Sequence, residues 1–400
     1  MKHRSVLITG ATGAVGSELL HRLSSRPGTS INVLVRGGER HTEIASIVAA
    51  PTRPAGISAP TRDFLSTGGA AVCVMPTVDI TGTRAEISVV EGDICAGPSL
   101  GLAPEVIESL TATTTHIIHC GGSTSFTLPI AEARELNVES TRNVLDFARH
   151  CASLESAAFF STVYVSGRRS GTFTEGDNGD AGFGFVNTYE QSKSEMEALV
   201  RQAMGELPIL LLRLSTVVGD SRTGAVRGFN AVHQAIRLLY NGLAPMIPGD
   251  AQTRVDIVSS DFVADAALHL IEEFPSGGVF HLASGAQAST LGDLIGSTVD
   301  SLVRFRPAWR KRAIERPLLV DLETYELFVR SVEETGNDVL RSATRSIRTF
   351  AYQLAHPKVF ETHHAATTLA GSGISAQPSL DFYPRVVKYC LESNWGTRAC

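Results

Sequence analysis

The fold of this chain is decided by a stretch near its beginning, Ser5-Val-Leu-Ile-Thr-Gly-Ala-Thr-Gly-Ala-Val-Gly16. The apolar run before the glycines predicts a buried strand, and residues 16–24 predict a helix that starts directly after the turn. In such a turn Gly10 permits a tight bend, Gly13 lets a ligand approach the backbone, and Gly16 lets the helix pack closely on the strand. The N–H groups and positive dipole end of that helix would face a phosphate. The stretch predicts a dinucleotide-binding turn, although its spacing is GxxGxxG rather than GxGxxG.

The rest of the N-terminal half alternates short apolar runs with amphipathic stretches. Strands are expected at residues 31–35, 87–91, 115–119, 157–161 and 209–214, and helices at residues 104–110, 130–151 and 188–204. Alternation of helices with fully apolar strands predicts a parallel sheet covered by helices on both faces, so we expect an α/β protein with a doubly wound Rossmann sheet. Two stretches rich in glycine and small residues interrupt this pattern. They predict a surface excursion at 49–70 and a mobile loop at 167–186.

The composition describes an ordinary globular protein and argues against several classes. Of 400 residues, 43% are hydrophobic and 19% are charged, and the net charge of -6 gives no reason to expect a nucleic-acid partner. The six cysteines are far apart without a CxxC pair, which suits a reducing cytoplasm rather than disulfides or a metal site. No apolar run approaches the ~20 residues of a membrane span, and the run after Arg4 is too short for a signal peptide. We expect a cytoplasmic protein without bound metal or stable membrane insertion.

The residue that ends the second predicted strand bears on the choice of cofactor. An NAD site usually places an acid there to accept a hydrogen bond from the ribose 2′-hydroxyl, but this chain has Arg36. A guanidinium suits a 2′-phosphate, so the position favours NADPH (NADP+), although an arginine can also merely end a strand. After the next strand, Asp93 is placed to accept from the adenine amino group. The small residues 120–122 end a further strand and would let the backbone pass under the cofactor.

A tyrosine and a lysine lie four residues apart in Tyr189-Glu-Gln-Ser-Lys193, hence on one face of a predicted helix. An ammonium beside a phenol favours the phenolate, so Lys193 is expected to lower the pKa of Tyr189. Such a tyrosine can give a proton to a carbonyl oxygen or take one back. Thr162 ends an apolar strand and is a candidate to help hold the developing oxyanion. The pattern YxxxK is common by chance, but lysine occurs only five times in this chain, so an incidental lysine here is less expected.

Several motifs together resemble the extended short-chain dehydrogenase/reductase superfamily: TGATGAVG at 9–16, NV at 137–138, STVYVSG at 161–167 and YEQSK at 189–193. Within it, a second set resembles the thioester reductase branch: LVR at 34–36, HCGGSTSF at 119–126, RLSTVVGDSRTG at 213–224 and VDIVSSDFVADA at 255–266. That branch contains the male-sterility type fatty acyl-CoA reductases and the terminal reductase domains of carboxylic acid reductases and of peptide or polyketide synthetases. The likeness covers residues 5 to about 285.

The resemblance implies roles for individual residues. Thr162, Tyr189 and Lys193 would form the catalytic set, Lys193 would also bind the nicotinamide ribose, and residues 215–217 would border the nicotinamide. The residues expected to bind the cofactor are, in full, Gly10, Thr12, Gly13, Ala14, Val15, Gly16, Arg36, Asp93, Ile94, Cys120, Gly121, Gly122, Asn137, Tyr189, Lys193, Ser215, Thr216 and Val217. Two departures stand out. Residues 120–122 replace a sequence that more often includes Ala-Ala, and Leu214 follows Arg213 where proline is usual.

The resemblance ends near residue 285, which predicts a domain division, and the branch that it identifies implies a function. We expect an NADP-binding domain at residues 1–285, with residues 223–250 contributing to the substrate pocket. Residues 286–400 are expected to form a smaller, mostly helical, substrate-binding part. The expected activity is the NADPH-dependent reduction of an acyl thioester, carried by CoA or a carrier protein, to an aldehyde and by a second cycle to an alcohol.

Other functions would use the same core. Sugar-nucleotide epimerases and dehydratases share the tyrosine–lysine pair, but dehydratases add an Asp-Glu pair after the catalytic hydroxyl, where this chain has Val163-Tyr164. Arg36 also argues against a tightly bound, recycled NAD. A ketone or aldehyde reductase stays open, while a catalytically silent NADP-sensing regulator is disfavoured by the intact Tyr189 and Lys193. The oligomeric state is open as well.

Two features of the C-terminal region have alternative interpretations. The segment 304–316 carries six basic residues: Arg304, Arg306, Arg310, Lys311, Arg312 and Arg316. Such a run is typically the solvated face of a helix, but it could also meet an acidic carrier protein or the phosphates of CoA. The pair His363-His364 has no spaced carboxylate or cysteine nearby in the sequence and predicts a surface turn rather than a metal site.

Overall fold

The computed structural model describes residues 3–37, 41–49, 73–74, 85–179, 182–274, 277–312 and 314–397. The strands are β1 (Arg4–Thr9), β2 (Thr29–Val35), β3 (Cys73–Val74), β4 (Glu86–Glu91), β5 (His116–His119), β6 (Ser156–Thr162), β7 (Gly171–Phe173), β8 (Ile209–Leu214), β9 (Thr216–Val217), β10 (Met246–Pro248), β11 (Arg254–Val255), β12 (Ile257–Val258), β13 (Gly278–Leu282), β14 (Ser289–Thr290), β15 (Leu318–Val320) and β16 (Lys358–Phe360).

The α-helices are α1 (Ala14–Leu23), α2 (His41–Ala49), α3 (Pro104–Thr113), α4 (Ile130–Arg134), α5 (Ser140–His150), α6 (Thr188–Ala203), α7 (Ala231–Asn241), α8 (Ser260–Glu273), α9 (Leu291–Phe305), α10 (Leu322–Glu334), α11 (Asp338–Leu354), α12 (His363–Thr368) and α13 (Ser379–Glu392). A π-helical turn, Glu135–Glu139, joins α4 to α5. Turns of 3₁₀ type lie at Val163–Ser166, Gly285–Gln287 and Pro307–Arg312.

A central sheet of eight strands, in the order β13-β8-β6-β5-β1-β2-β4-β3, forms the body of the structure. Seven of them run parallel, and the two-residue edge strand β3 pairs antiparallel with β4. The chain starts in the middle at β1, passes to β2 and β4 on one side, and then builds β5, β6, β8 and β13 on the other side. This is the doubly wound order, so the expected Rossmann fold is confirmed.

Helices cover both faces of the sheet because its strands are apolar on both faces. In β1, Val6 and Ile8 are buried in one hydrophobic cluster with residues of α1, α2 and α8, whereas Leu7 is buried in a second cluster with residues of α3, α5 and α6. Side chains alternate across a strand, so a continuous apolar run fills two cores at once. This arrangement explains why the strand Ser5–Ile8 could be predicted from hydrophobicity alone.

The carboxyl ends of the central strands meet at one edge of the sheet. Thr9 of β1 is in register with His119 of β5, and Thr162 at the end of β6 is in register with Leu214 of β8. Ligands of open parallel sheets bind outside this edge, where the strand order reverses direction. The fold therefore brings the glycine-rich turn, residues 120–122 and Thr162 to the same side of the molecule.

A third hydrophobic cluster lies outside the sheet and joins α7 to the C-terminal helices. Val232 and Ile236 of α7 pack in it with Leu294 of α9 and with Phe382 of α13. Residues 223–250 are thus in contact with the C-terminal region, while the domain boundary near residue 285 stays a prediction.

Two predicted loops have different outcomes. The excursion at 49–70 lies, apart from Ala49, outside the described residues. The stretch 167–186 is predicted to be a loop, but it contains strand β7, which pairs in parallel with β16.

Candidate active site

The glycine-rich turn between β1 and α1 has the close contacts that its sequence predicts. Gly10 has a φ of +71°, and a Cβ atom there would lie 2.5 Å from the carbonyl carbon of Cys120. A Cβ on Gly16 would lie 2.2 Å from the carbonyl oxygen of Gly10. Gly13 is less crowded, since its Cβ would meet that same oxygen at 3.2 Å. Any side chain at Gly10 or Gly16 would therefore push the turn away from the sheet.

The first turn of α1 presents its backbone toward the edge of the sheet without a side-chain cap. Gly13 is the N-cap residue and makes no side-chain capping hydrogen bond, and the first turn contains no acidic residue. The N-terminal N–H groups of a helix need partners, and a phosphate is the ligand that suits them. This end of α1 fits a pyrophosphate.

A cleft of about 260 Å³ opens in front of this turn. It contains nine of the predicted cofactor residues: Gly10, Thr12, Gly13, Arg36, Asp93, Ile94, Cys120, Gly121 and Gly122. The predicted Ala14 and Val217 line a small neighbouring pocket with Gly228. The residues present, small along the floor and cationic at one end, therefore fit a dinucleotide.

Arg36 lines this cleft with most of its side chain in solvent. The side chain is 68% exposed, and among the described residues it pairs with the carboxylate of Asp93, at 3.9 Å from Nη1 to Oδ2. Exposed ion pairs at this distance are weak, so Arg36 is available to an incoming anion. Asp93 also accepts a 2.9 Å hydrogen bond from the backbone of Cys95, which fixes its carboxylate at the cleft wall.

A buried histidine supports the floor of the cleft and was not predicted as a site residue. His119 Nδ1 lies 2.8 Å from the hydroxyl of Thr9, and that hydroxyl accepts from the backbone of Gly121 at 3.3 Å. On its other side, His119 Nε2 lies 3.2 Å from the hydroxyl of Thr141. Burial, with a smaller effect from the Lys193 charge, lowers the pKa of His119 to about 3. A neutral ring therefore ties the ends of β1 and β5 together under the cleft.

Thr162, Tyr189 and Lys193 lie together at the carboxyl end of β6. The Tyr189 hydroxyl is hydrogen-bonded to Thr162, and the Lys193 ammonium donates to the carbonyl of Phe160 at 3.0 Å. Helix α6 holds the tyrosine and the lysine one turn apart, and Asn187 caps this helix by accepting from the backbone of Glu190. The three catalytic candidates therefore share one site beside the cleft.

The ionisation of this group differs from the expectation. Burial raises the pKa of Tyr189 to about 12, and the hydrogen bond with Thr162 offsets only part of this. Burial likewise lowers the pKa of Lys193 to about 8. The predicted lowering of the phenol pKa is wrong, because desolvation of the phenolate outweighs attraction to an ammonium that is directed at the Phe160 carbonyl. Tyr189 is consequently a protonated acid at neutral pH.

Asn137 lies in the π-helical turn and joins two parts of the site. Its Oδ1 accepts from the backbone of Ser123 at 2.8 Å, and its Nδ2 donates to the hydroxyl of Ser192 on α6 at 2.9 Å. A Cβ atom on Gly122 would lie 2.5 Å from that Oδ1, so glycine is needed for this approach. Asn137 therefore connects the loop at 120–123 to the helix that carries Tyr189.

The segment 215–217 continues from β8 across the edge of the sheet. Ser215 donates to the backbone carbonyl of Asp256 at 2.7 Å, and the hydroxyl of Thr216 lies 3.0 Å from that of Tyr164. Leu214 is in regular register with Thr162, so the missing proline leaves the strand intact. The segment lies close to the 3₁₀ turn that follows Thr162.

A buried ion pair links β8 to helix α6. Arg213 is fully buried and lies 2.7 Å from the carboxylate of Glu197 on α6, while its guanidinium carbon lies 4.8 Å from the ring centre of Phe173. Its Nη2 also donates to the carbonyl of Asp177 at 2.8 Å. These contacts tie β8, the strand next to β6, to helix α6.

In the described part of the chain, no group of three or more His, Cys, Asp or Glu side chains is placed to hold a metal ion, and no helix is long and apolar enough to cross a bilayer. The surface turn predicted at 363–364 is wrong, because these histidines begin helix α12. His364 stacks on Phe280 with ring centres 4.2 Å apart, a contact that the sequence pattern does not reveal.

The basic segment 304–316 is at the surface, with its six cationic side chains exposed. Arg304, Arg310 and Arg316 line an open groove whose apolar residues include Val303 and Trp309. Trp309 is anchored by a 2.7 Å hydrogen bond to the carbonyl of Tyr240. Arg304 lies in the last turn of α9, and Pro307–Arg312 form a 3₁₀ turn, so the basic residues do not share the face of one regular helix.

The family of the chain follows from comparison with known proteins. A family model described as "Male sterility protein" matches residues 8–267. The chain belongs to this family. The resemblance to the extended short-chain dehydrogenase/reductase superfamily and its thioester reductase branch is thereby confirmed. This male sterility family member is an oxidoreductase by fold and family.

Individual relatives are distant. Glycine betaine reductase ATRR of Emericella nidulans is 26% identical over 295 residues, which cover 72% of this chain and 21% of the relative. A putative fatty acyl-CoA reductase of Drosophila melanogaster, CG8303, is 22% identical over 66% of this chain and 51% of its own length. The chain thus spans about a fifth of the first relative and about half of the second. The solved terminal R domain of the myxalamid PKS-NRPS pathway superposes with a TM-score of 0.75 at 23% identity, over 99% of this chain and 92% of that one.

The male sterility family match includes every predicted catalytic and cofactor residue. It ends at residue 267, so the C-terminal helices and the basic segment lie outside it. Four buried residues near the site were not predicted from the sequence. One is His119, and the other three form a buried group beside Tyr189: Glu190, Gln353 and Lys358. A polar residue at the end of a buried strand could have drawn attention to His119. The other three are brought together by tertiary contacts that no local pattern encodes.

Proposed function

We propose that this protein is an NADPH-dependent reductase of acyl thioesters, carried by CoA or by a carrier protein, with an aldehyde as its first product. The observation that carries the proposal is the group of Thr162, Tyr189 and Lys193 beside the cleft that the glycine-rich turn lines, in a chain of the male sterility family. A relative named as a putative fatty acyl-CoA reductase supports a thioester rather than a sugar substrate.

The cofactor would be held by the residues that line the cleft. The α1 N-terminus and the glycine turn suit the pyrophosphate, and Asp93 suits the adenine amino group. Arg36 is exposed at that end and suits a 2′-phosphate, which is why NADPH is favoured over NADH. A bound nicotinamide would supply the hydride for reduction of a carbonyl carbon.

Side chains of the protein would donate the proton and stabilise the oxyanion. Tyr189, protonated because its pKa is about 12, can donate to the substrate carbonyl oxygen as that oxygen gains charge. Thr162 offers a second hydroxyl on the same side, and the Lys193 ammonium stabilises the tyrosinate left behind. The resulting hemithioacetal can return its hydroxyl proton to Tyr189 while the carbon–sulfur bond breaks. This step releases a thiolate, which takes up a proton, and leaves an aldehyde.

A substrate panel tests the proposal directly. NADPH oxidation would be measured with acyl-CoAs, carrier-bound thioesters, ketones and aldehydes, for the wild type and for Tyr189→Phe. We expect turnover of thioesters, release of free thiol in step with NADPH oxidation, and loss of turnover in the variant. Turnover of ketones alone would defeat the thioester assignment, whereas full activity in Tyr189→Phe would defeat the mechanism.

A further inference from the structure

A buried carboxylate follows the proposed catalytic tyrosine in the sequence and has no part in the chemistry described above. Glu190 is 2% exposed, and both of its carboxylate oxygens are engaged. Oε2 accepts from the backbone N–H of Val186 at 3.0 Å, and Oε1 accepts from the side chain of Asn187 at 2.6 Å. Burial raises the pKa of Glu190, and these hydrogen bonds offset part of the rise.

The C-terminal region reaches this carboxylate with one side chain. Gln353, in the last turn of α11, donates its amide N–H to Glu190 Oε1, and its amide oxygen accepts from Lys358 Nζ at 3.1 Å. Lys358 Nζ also donates to the backbone carbonyl of Gly167. Gln353 and Lys358 are 9% and 8% exposed, so the whole chain of contacts is shielded from solvent.

The two ends of this chain of contacts are the two segments that carry the candidate catalytic groups. Glu190 directly follows Tyr189 in α6, and Gly167 directly follows the 3₁₀ turn whose N-cap is Thr162. We propose that Gln353 and Lys358 are positioning residues, which clamp the Thr162 segment to the Tyr189 segment and so set the distance between the two hydroxyls. The inference rests on the proposed roles of Thr162 and Tyr189.

Helix capping alone does not account for this arrangement. A capping carboxylate usually acts within its own helix and stays near solvent, and Asn187 already caps the backbone of α6. The contacts with Gln353 and Lys358 cross 163 and 191 residues of sequence and occur in the interior. The amide of Gln353 meets a carboxylate through its N–H and an ammonium through its oxygen, so its orientation is fixed. A leucine of similar size could fill the space but would remove one hydrogen bond from each of two buried charged groups, Glu190 and Lys358.

The test removes the bridge and keeps its volume. Gln353→Met loses both hydrogen bonds, Lys358→Met loses the cation, and Lys358→Arg keeps a cation that can donate. Arg345→Met is the matched control, since Arg345 is exposed on the same helix. Each full-length variant would be assayed with NADPH and octanoyl-CoA, with NADPH affinity measured by fluorescence titration and hydrogen exchange followed over residues 186–193.

We expect kcat to fall on the order of 10²-fold in Gln353→Met and Lys358→Met, as for a misplacement of about 1 Å, while NADPH affinity changes less than about twofold. Lys358→Arg should recover most of the lost kcat, and exchange at Val186 should accelerate in both methionine variants. A folded Gln353→Met variant with wild-type kcat and wild-type exchange would overturn the proposal. A loss of kcat that equals the loss of folded protein, measured by urea unfolding, would also overturn the proposal.

Failure of the thioester assignment would be recognised separately. If the wild type does not reduce octanoyl-CoA or any other thioester, the proposed function fails, but hydrogen exchange still reports on the clamp. If the wild type reduces thioesters but both methionine variants keep its kcat and its hydrogen exchange, the proposed clamp fails and the proposed function stands.

Discussion

Replacement of Arg36 by alanine should weaken the binding of NADPH but leave the binding of NADH unchanged. The side chain is 68% exposed in the cleft, and the charged partner that the described residues give it is Asp93 at 3.9 Å. A 2′-phosphate would therefore gain a guanidinium partner without breaking a strong existing ion pair. NADH has no phosphate at this position and should be insensitive to the change.

The size of the effect can be worked out from these contacts. A hydrogen bond between charged groups contributes about 1.5–3 kcal/mol, and an exposed ion pair such as Arg36–Asp93 contributes only about 0–1 kcal/mol. Since the phosphate competes with Asp93, the net contribution should be about 0.5–3 kcal/mol. At about 1.4 kcal/mol per tenfold, this predicts a roughly 2- to 140-fold rise in the Kd for NADPH.

Fluorescence titration with NADPH and NADH measures this effect without any assumption about the substrate. Arg142→Ala is the control, because Arg142 is also exposed but pairs with Glu139 and does not line the cleft. Asp93→Asn should separate its two roles, since it removes the competing charge on Arg36 but weakens contact with the adenine. Equal losses for NADPH and NADH in Arg36→Ala, or no loss for either, would refute the assignment of Arg36 to the 2′-phosphate.

Three further predictions concern charge. Lys193→Met should change how the free energy of unfolding depends on pH. Burial lowers the pKa of Lys193 from 10.5 to about 8, so between these values the unfolded state binds more protons than the folded state. The free energy of unfolding of the wild type should therefore rise with pH relative to that of the variant. Urea unfolding at about pH 7.5 and about pH 10 measures this, and a difference that does not vary with pH would contradict it. Glu197→Gln should lower the free energy of unfolding by about 3–5 kcal/mol, because it leaves the fully buried Arg213 without a charged partner; a loss below about 1 kcal/mol would show that the pair is dispensable. Arg310→Glu should raise the KM for a carrier-bound thioester and abolish its dependence on salt, with the KM for octanoyl-CoA as the control, whereas a salt-independent KM in the wild type would mean that the groove meets no acidic partner.

The sheet could be predicted because its strands are buried on both faces. Runs such as residues 157–160 and 209–212 are apolar at every position, and they predict strands without any knowledge of their neighbours. Strand β13 was not predicted, since it begins with glycine and contains His281, whose ring is buried against Arg213 at 3.2 Å. A polar residue satisfied by a distant partner hides a strand from a reading based on hydrophobicity.

The site was predictable where it depends on local geometry. A spacing of four residues puts Tyr189 and Lys193 on one face of α6 whatever surrounds the helix, and both are found beside Thr162. The pKa of Tyr189 was not predictable, because it depends on how deeply the phenol is buried and on the direction of the Lys193 side chain. The bridge from Glu190 to Lys358 was not predictable either, since its members are far apart in sequence and none belongs to a recognised motif.

The pairing of β7 with β16 has a consequence for the order in which the protein folds. Gly171 is paired with Lys358, so this contact closes a loop of nearly half the chain. Contacts of such long range form late, because the entropy of closing the loop is lost before the contact stabilises anything. During synthesis the parallel sheet can assemble first, while β7, in the segment after Thr162, can pair with β16 only after the residues of β16 have left the ribosome. The nascent chain should therefore bind a dinucleotide before it becomes a competent enzyme.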